Sequence, residues 1–440
     1  MATDSQIRTN RLPTILAVLA LVIAAFLAGY VMELRGDVDE LSDRLKKSSG
    51  GGGIAASRAD VEEIVRAGLE DLRVCFNKAL FNSFDDFSRY VFGDLTDPDI
   101  DKIVETCGVL STDAKAQLYK GGLDFPVDMA WQRDTDTVFY TEKATGNIRI
   151  LHGKELVKQP CATVPANADG ERGTLGIVLD PEFESNGYLY VYYTNEAPTE
   201  NRVTRFVVDG DSCTNEEHII TGIPALDSTR HVGGQLEIVD GKLFVSVGDG
   251  YSNPSTAQDL NSPLGKVLRY NLDGSVPEDN PYSEPGDPNP VWTMGHRNPF
   301  GLTHNPETSQ IYETENGPDC DDELNVLEEG ANFGWGPGYE CGGAGVGKDP
   351  TRSLVAWTPP IVPTDPWFYT GTTESLAGSL YMGDFGSGKL HRFVMNDAGT
   401  KVTKDEIVYD SPSQIVDVSE GPEGLLYFLT PDGVYRLEEK

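Results

Sequence analysis

The residues best equipped for chemistry lie between Trp292 and Trp335, in WTMGHRNPFGLTHNPETSQIYETENGPDCDDELNVLEEGANFGW. Within this stretch stand an adjacent Arg297–Asn298 pair, the turn Gly317–Pro318, four clustered acids and a Gly-Asn-aromatic run ending at Phe333. Apolar packing alone does not call for Gly-His-Arg-Asn-Pro followed by Glu-Asn-Gly-Pro. Gly and Pro set turns in which backbone carbonyls converge on one space. Asp319, Asp321, Asp322 and Glu323 add carboxylate oxygens beside that turn. Hard oxygen donors in such a set suit Ca²⁺. Taken alone, the four acids read rather as the surface loop of a very acidic protein.

Two further residues bear on this stretch. His231 follows a loop and precedes Val-Gly-Gly, and Asp249 stands in VGDG. On their own, such a histidine is an ordinary polar surface residue and Asp-Gly is a turn. They gain meaning only from the elements around them.

From about Gly121 the chain consists of short apolar-aromatic runs separated by Gly, Asn and Asp turns. A strand–turn–strand unit recurs as TVFYTEKATGNIRIL, YLYVYYTN…NRVTRFVV, KLFVSVGDG…KVLRYNL, QIYETENG…ELNVL, SLYMGDFGSGKLHRFV and LLYFLTPDGVYRL. Six units at this period, each holding several short strands, predict an all-β six-bladed propeller over 119–440. Each blade leaves an apolar face that only its neighbour covers, so the ring must close.

The N-terminal part is different. Residues 12–32 carry no charge, follow Arg8 and Arg11, and are long enough to span a bilayer. The basic flank predicts a single-pass anchor within 1–33, with the remainder on the extracytoplasmic side of the cell membrane. A cleaved signal peptide is the alternative. Leu34, Val38, Leu41 and Leu45 form a short heptad seam, and SSGGGG at 48–53 is a flexible linker, so 34–56 reads as a stalk. Residues 57–118 read as a helical spacer. One helix opens on the capping-box pattern Ser57-Arg-Ala-Asp60, and a second runs from Pro98 to Gly108.

Seventy acids against 35 bases, a net charge of −35, argue against nucleic acid or an anionic membrane surface as partner. None of the six cysteines lies in a CxxC or CxxCH motif, which argues against a zinc ribbon, a thioredoxin-type site and attached c-type haem. In an exported chain an even count reads as disulfides. Pairing of neighbours gives Cys75–Cys107, Cys161–Cys213 and Cys320–Cys341 as one connectivity among several.

Several runs in the β region, in order, resemble the quinoprotein sugar dehydrogenases, soluble glucose and aldose dehydrogenases that use pyrroloquinoline quinone. They are GERGTLGIVLDPEFESNGYLYVYYT, HVGGQLEIVDGKLFVSVGDG, PLGKVLRYNLDGSVPEDNP, GHRNPFGL and ENGPDCDDELNVLEEGANFGW. The resemblance covers about 120–440 and implies a six-bladed propeller. It implies that His231 is the general base and that Asp249 orients it. It implies that Arg297 and Asn298 contact the quinone, with Arg297 favouring the anion that forms there. It implies that the carbonyls of Gly317 and Pro318 hold an active-site Ca²⁺. By the same resemblance Glu323 and the Phe333 carbonyl mark a second Ca²⁺ site, and Glu171 faces the substrate. An aldose is then oxidised at C1 to the lactone, and the electrons pass to an unidentified acceptor.

The chain departs from the family at the last two blades. The family places a Lys before a fifth-blade strand and two Arg before the final one. Here the corresponding runs are YTGTTESLAGSLYMGDF and SPSQIVDVSEGPEG, with Gln414 and Val416 at the arginine positions. The quinone is a tricarboxylate, and each charge-assisted contact contributes about 1–3 kcal/mol. Lys389 and Arg392 are candidate substitutes. Two other readings therefore stand beside the dehydrogenase: a non-catalytic propeller serving as an interaction surface, and a Ca²⁺-dependent lactonase-type hydrolase.

Overall fold

The computed structural model describes residues 114–439 apart from 374 and 375. The membrane-anchor, stalk and linker readings, the two N-terminal helices and the Cys75–Cys107 pairing lie outside the described residues. Among the described residues no helix is long and apolar enough to cross a membrane.

Six antiparallel sheets make up the domain. Each of the six strand–turn–strand units forms the two middle strands of one sheet: Thr137–Glu142 with Asn147–His152, Tyr188–Asn195 with Glu200–Asp209, Lys242–Val247 with Lys266–Asn271, Ile311–Glu315 with Asp322–Leu327, Ser379–Asp384 with Lys389–Met395, and Leu426–Thr430 with Gly433–Glu439. The first strand of each pair is buried almost end to end. A strand covered on both faces reads as a continuous apolar run rather than an alternating one, and here the covers are the flanking blades.

A further strand precedes each pair and lies innermost: Pro126–Trp131, Thr174–Leu179, Gly233–Val239, Pro299–His304, Pro363–Tyr369 and Asp417–Glu420. These six inner strands neighbour one another in turn and close a ring. The pairing register slips at Pro126/Met129, Thr174/Ile177, Gly233/Leu236, Pro299/Gly301 and Pro363/Pro366. Such bulges twist a strand and re-aim its side chains. At this level the inner strands carry Asp128, Gly176, Gln235, Gly301, Asp365 and Asp417. Side chains at the two glycines are excluded by the adjacent blade: a Cβ at Gly176 would lie 2.4 Å from the Gly234 carbonyl oxygen, and one at Gly301 2.6 Å from the Asp365 Cα.

One boundary is corrected. The sequence reading places 57–118 in a helical spacer, but Ala114–Gly121 is a strand, the outermost of blade six, paired antiparallel with Gly433–Glu439. Blade six draws only three strands from the C-terminal segment, and the edge of the last is covered by the start of the domain. The run AKAQLYKG lacks a strand signature because it is only partly buried. The bridges Cys161–Cys213 and Cys320–Cys341 both form, as neighbour pairing anticipated.

Candidate active site

The loops that carry Glu171, His231, Asp249, Arg297, Asn298, Gly317 and Pro318 either join the outer strand of one blade to the inner strand of the next or join the second and third strands within a blade; Phe333 lies between the third and outer strands of blade four. His231 ends the first kind of loop before Gly233–Val239, and Asp249 opens the second kind after Lys242–Val247. The two come together: His231 Nδ1 lies 2.7 Å from Asp249 Oδ1, and both side chains are buried. His231 adopts a left-handed backbone (φ 54°). Gly248 permits the approach, since a Cβ there would lie 2.1 Å from the His231 carbonyl oxygen.

Two further donors hold the Asp249 carboxylate. The Trp335 indole N–H donates to Oδ2 at 2.7 Å and the Tyr251 backbone N–H donates to Oδ1 at 2.7 Å. A carboxylate fixed this way orients the imidazole. With Nδ1–H donated to Asp249, the Nε2 atom of His231 carries the free lone pair. The Tyr251 ring packs edge-on against His231 at 4.9 Å.

Glu171 ties this unit to the Arg-Asn pair. Its Oε2 accepts the His231 backbone N–H at 2.7 Å and faces Asn298 Nδ2 at 3.5 Å. Asn298 Oδ1 accepts the Gly233 N–H at 3.1 Å. The Arg297 and Asn298 backbone N–H groups both donate to Glu315 Oε1. The Arg297 guanidinium donates to the Asn316 carbonyl at 2.6 Å and lies over the Trp335 ring. Glu171, His231, Asp249, Arg297 and Asn298 therefore form one bonded constellation, drawn from positions up to 127 residues apart.

The acids after Gly317–Pro318 do not form one cluster. Asp319 is exposed. Asp321 turns outward to the Tyr339 hydroxyl and Thr358. Asp322 is buried and accepts the backbone N–H groups of Gly317, Ile361 and Val362 at 2.7–2.8 Å. Only Glu323 joins a second set of carboxylates. It pairs across the sheet with Glu315, and Asn325 Nδ2 donates to it at 3.3 Å and to Glu313 at 2.9 Å. Burial and the Glu315 charge push Glu323 up to about 8, and the same two causes raise Glu313 well above the carboxylate range. Phe333, the other residue assigned to this site, stacks its ring on His296, which itself bonds Glu315 at 2.9 Å.

A cavity of about 300 Å³ opens beside the constellation. Lys143, Glu171, Asn298 and Asn316 supply polar groups, Phe125, Phe300, Phe385 and Val416 supply apolar walls, and Asp128, Gln235 and Asp365 also line it. His231 lines an adjoining small recess, and Val232 borders both spaces. Asp128, Asp365 and Asp417 stand within 4.8 Å of one another. Burial raises all three carboxyls, Asp128 to about 7. The two suggested replacement cations are elsewhere. Lys389 pairs in register with Asp410, Arg392 bonds Ser379 and lies 3.6 Å from Glu406, and neither lines the cavity. Lys389 opens the third strand of blade five and Arg392 lies within it.

Oxygen donors here fit Ca²⁺. A Cβ at Gly317 would lie 2.2 Å from the Cys320 carbonyl oxygen and 2.4 Å from that of Asp321, so backbone oxygens cradle this turn. Beside Glu323, the buried atoms Glu313 Oε1 and Asn325 Oδ1 have no hydrogen-bond partner. For the quinone, the size of the cavity and the amides of Asn298 and Asn316 fit a planar, oxygen-rich molecule. The walls present one basic residue, Lys143, while Val416, expected from the sequence at a family arginine position, adds apolar surface.

Three parts of the site escape sequence reasoning: Trp335 as partner of Asp249, Lys143 as the basic lining residue, and the acid trio. The third had a signal. Aligning the six inner strands would have placed Asp128, Asp365 and Asp417 at one level.

Comparison with known proteins agrees with this arrangement. Residues 123–437 match the family model described as glucose/sorbosone dehydrogenase. The chain is 30% identical over 338 residues to an aldose sugar dehydrogenase of Escherichia coli, covering 70% of this chain and 88% of that protein. It is 33% identical over 245 residues to quinoprotein glucose dehydrogenase B of Acinetobacter calcoaceticus, covering 48% of this chain and 50% of that one. Among solved structures, the apo-form soluble aldose sugar dehydrogenase of Escherichia coli superposes with a TM-score of 0.68 at 26% identity, over 74% of this chain and all of that one. Fold, motif order and a match across nearly the whole propeller together establish that this chain belongs to the glucose/sorbosone dehydrogenase family.

Proposed function

We propose that this protein is a membrane-anchored, extracytoplasmic quinoprotein that oxidises an aldose at C1 to the lactone and passes the electrons to a separate acceptor. The observation that carries the reading is the His231–Asp249–Trp335 chain of hydrogen bonds, bonded through Glu171 to Asn298 at the cavity. Bound pyrroloquinoline quinone would supply the hydride acceptor, and Ca²⁺ at the Gly317–Pro318 turn would polarise its carbonyl.

The protein's own part is positional and acid–base. His231 Nε2 takes the proton of the C1 hydroxyl, and the Asp249 carboxylate stabilises the imidazolium that results. Trp335 and the Tyr251 N–H keep that carboxylate from rotating away. Arg297, anchored on the Asn316 carbonyl, favours negative charge developing next to it. Asn298 and Asn316 present amides to the bound ring system, and the apolar walls displace water from it.

The test is dye-coupled oxidation of aldoses by the full chain loaded with quinone and Ca²⁺. His231→Ala is expected to lower the rate by about 10²–10⁴-fold. An unchanged rate would sink this mechanism. The apolar Val416 at the cavity favours a second reading, a non-catalytic propeller that holds no quinone. In that case the wild type binds neither quinone nor sugar.

A further inference from the structure

The cavity has one basic lining residue, Lys143, and its setting is specific. Lys143 follows the second strand of blade one and reaches the loop that leads into blade two. Its Nζ donates to the Gly170 carbonyl at 2.7 Å and more weakly to the Ala168 carbonyl at 3.4 Å. An ammonium has three N–H donors, so these two acceptors leave one free. Among the described residues Lys143 makes no ion pair. The carboxylates near it bond other groups, Glu171 the His231 N–H, Asp128 the Ile177 N–H and Asp365 the Leu302 N–H, so Glu171 and Asp169 act on the Lys143 charge only through space. The other bases of this end of the ring are also occupied. Arg297 is held by Asn316, Arg172 by the Leu226 and Ser228 carbonyls, and Arg230 lies over the Tyr251 ring.

We infer that Lys143 is the residue that holds a carboxylate of the bound ligand, replacing from blade one the cations that blades five and six lack. The inference rests on the quinone reading above. An ammonium tethered to two backbone carbonyls is already ordered, so little freedom is lost when an anion arrives. Placement on blade one also turns the anionic edge of the ligand toward the 168–170 loop that holds Lys143 and away from the apolar wall of Phe385 and Val416. That orientation differs from one set by cations on the last blades.

The experiment is calorimetric titration of the full chain with pyrroloquinoline quinone and with its trimethyl ester, each with Ca²⁺ present. Wild type, Lys143→Gln and Lys143→Arg are compared. A single charge-assisted contact predicts that Lys143→Gln weakens the free acid about 10–100-fold, leaves the ester unchanged, and is largely rescued by Lys143→Arg. Wild-type binding that Lys143→Gln leaves unaltered overturns this inference and spares the quinone reading. Equal loss of acid and ester shows that Lys143 only braces the 168–170 loop, and also overturns it. If the wild type binds neither compound, both the inference and the reading beneath it fail.

Discussion

At the scale of single residues, the clearest sign of an unfilled role is the pair of buried oxygens Glu313 Oε1 and Asn325 Oδ1, neither with a hydrogen-bond partner. A buried acceptor left unpaired costs about 1–3 kcal/mol. Glu315 and Glu323 lie beside them, and carboxylates crowded in a buried space repel unless protonated or bridged by a cation. Ca²⁺, if coordinated here, would relieve both costs and stabilise the folded state by mass action. We expect millimolar Ca²⁺ to raise the thermal midpoint of the EDTA-treated protein by several degrees, and Glu313→Gln to abolish most of that rise. A midpoint indifferent to EDTA would remove the second metal from the account. Trp335 makes the same point for catalysis. Trp335→Phe keeps the ring under Arg297 but deletes the N–H donor to Asp249. The rate of dye reduction should fall about tenfold with little change in quinone affinity, whereas a role in packing alone would leave the rate intact.

At the scale of elements, the ring depends on the strand Ala114–Gly121, which covers the edge of Gly433–Glu439. An uncovered edge strand is both a loss of ladder hydrogen bonds and a template for aggregation. A chain beginning at residue 111 should fold as a monodisperse propeller. One beginning at residue 122 should melt at least about 10 °C lower and elute partly as aggregate on size exclusion. Equal midpoints would mean that blade six closes without it. The inner strands show how elements set the site. Bulged inner strands carry Asp128 and Asp365, and a regular one carries Asp417; the three stand together, and each also accepts a backbone N–H from a neighbouring blade: Ile177, Leu302 and Met129 at 2.6–3.1 Å.

At the scale of the whole molecule, that acid trio makes stability depend on pH. Its carboxyls are raised by burial, Asp128 from 3.8 to about 7. A raised folded-state value means that the native protein holds more protons than the unfolded chain between about pH 4 and 7. The stabilisation is therefore complete below the unfolded value and is lost as pH rises through the folded one. Asp417→Asn removes one member while leaving an oxygen for the Met129 N–H. Measured by thermal melts from pH 4.5 to 8.5, the variant should gain on the wild type as pH rises, by up to a few kcal/mol. Parallel curves would show that the trio does not titrate in this range. Asp384 has the opposite sign: burial raises it, but hydrogen bonds from His391 and Ser387 and the His391 charge hold it below its ordinary value, so its contribution is present above the unfolded value and is lost as pH falls. Burial lowers the His391 imidazole, but its hydrogen bond to Asp384 and the Asp405 carboxylate 3.6 Å away lift it to about 9, so it favours the folded state at lower pH, as the trio does.

Much of this was legible before any coordinates. The first middle strand of each blade is buried almost end to end, so its apolar-aromatic residues and the turn after it make the sixfold repeat stand out in the sequence. His231, Asp249, Arg297, Asn298 and Glu171 are local motif residues, and the loops bring all five together. What the sequence could not supply are relations between blades. Trp335 reaches Asp249 across 86 positions, Met129 reaches Asp417 across 288, and the polar strand at 114 is a strand only because blade six lacks one. Lys143 is one base among 35 until the ring closes and leaves it on the wall of the cavity. Composition and periodicity determine what each blade must be, because burial acts within a strand and its neighbours. Which side chains share a site is decided by closure of the ring, which sets distances that no local pattern encodes.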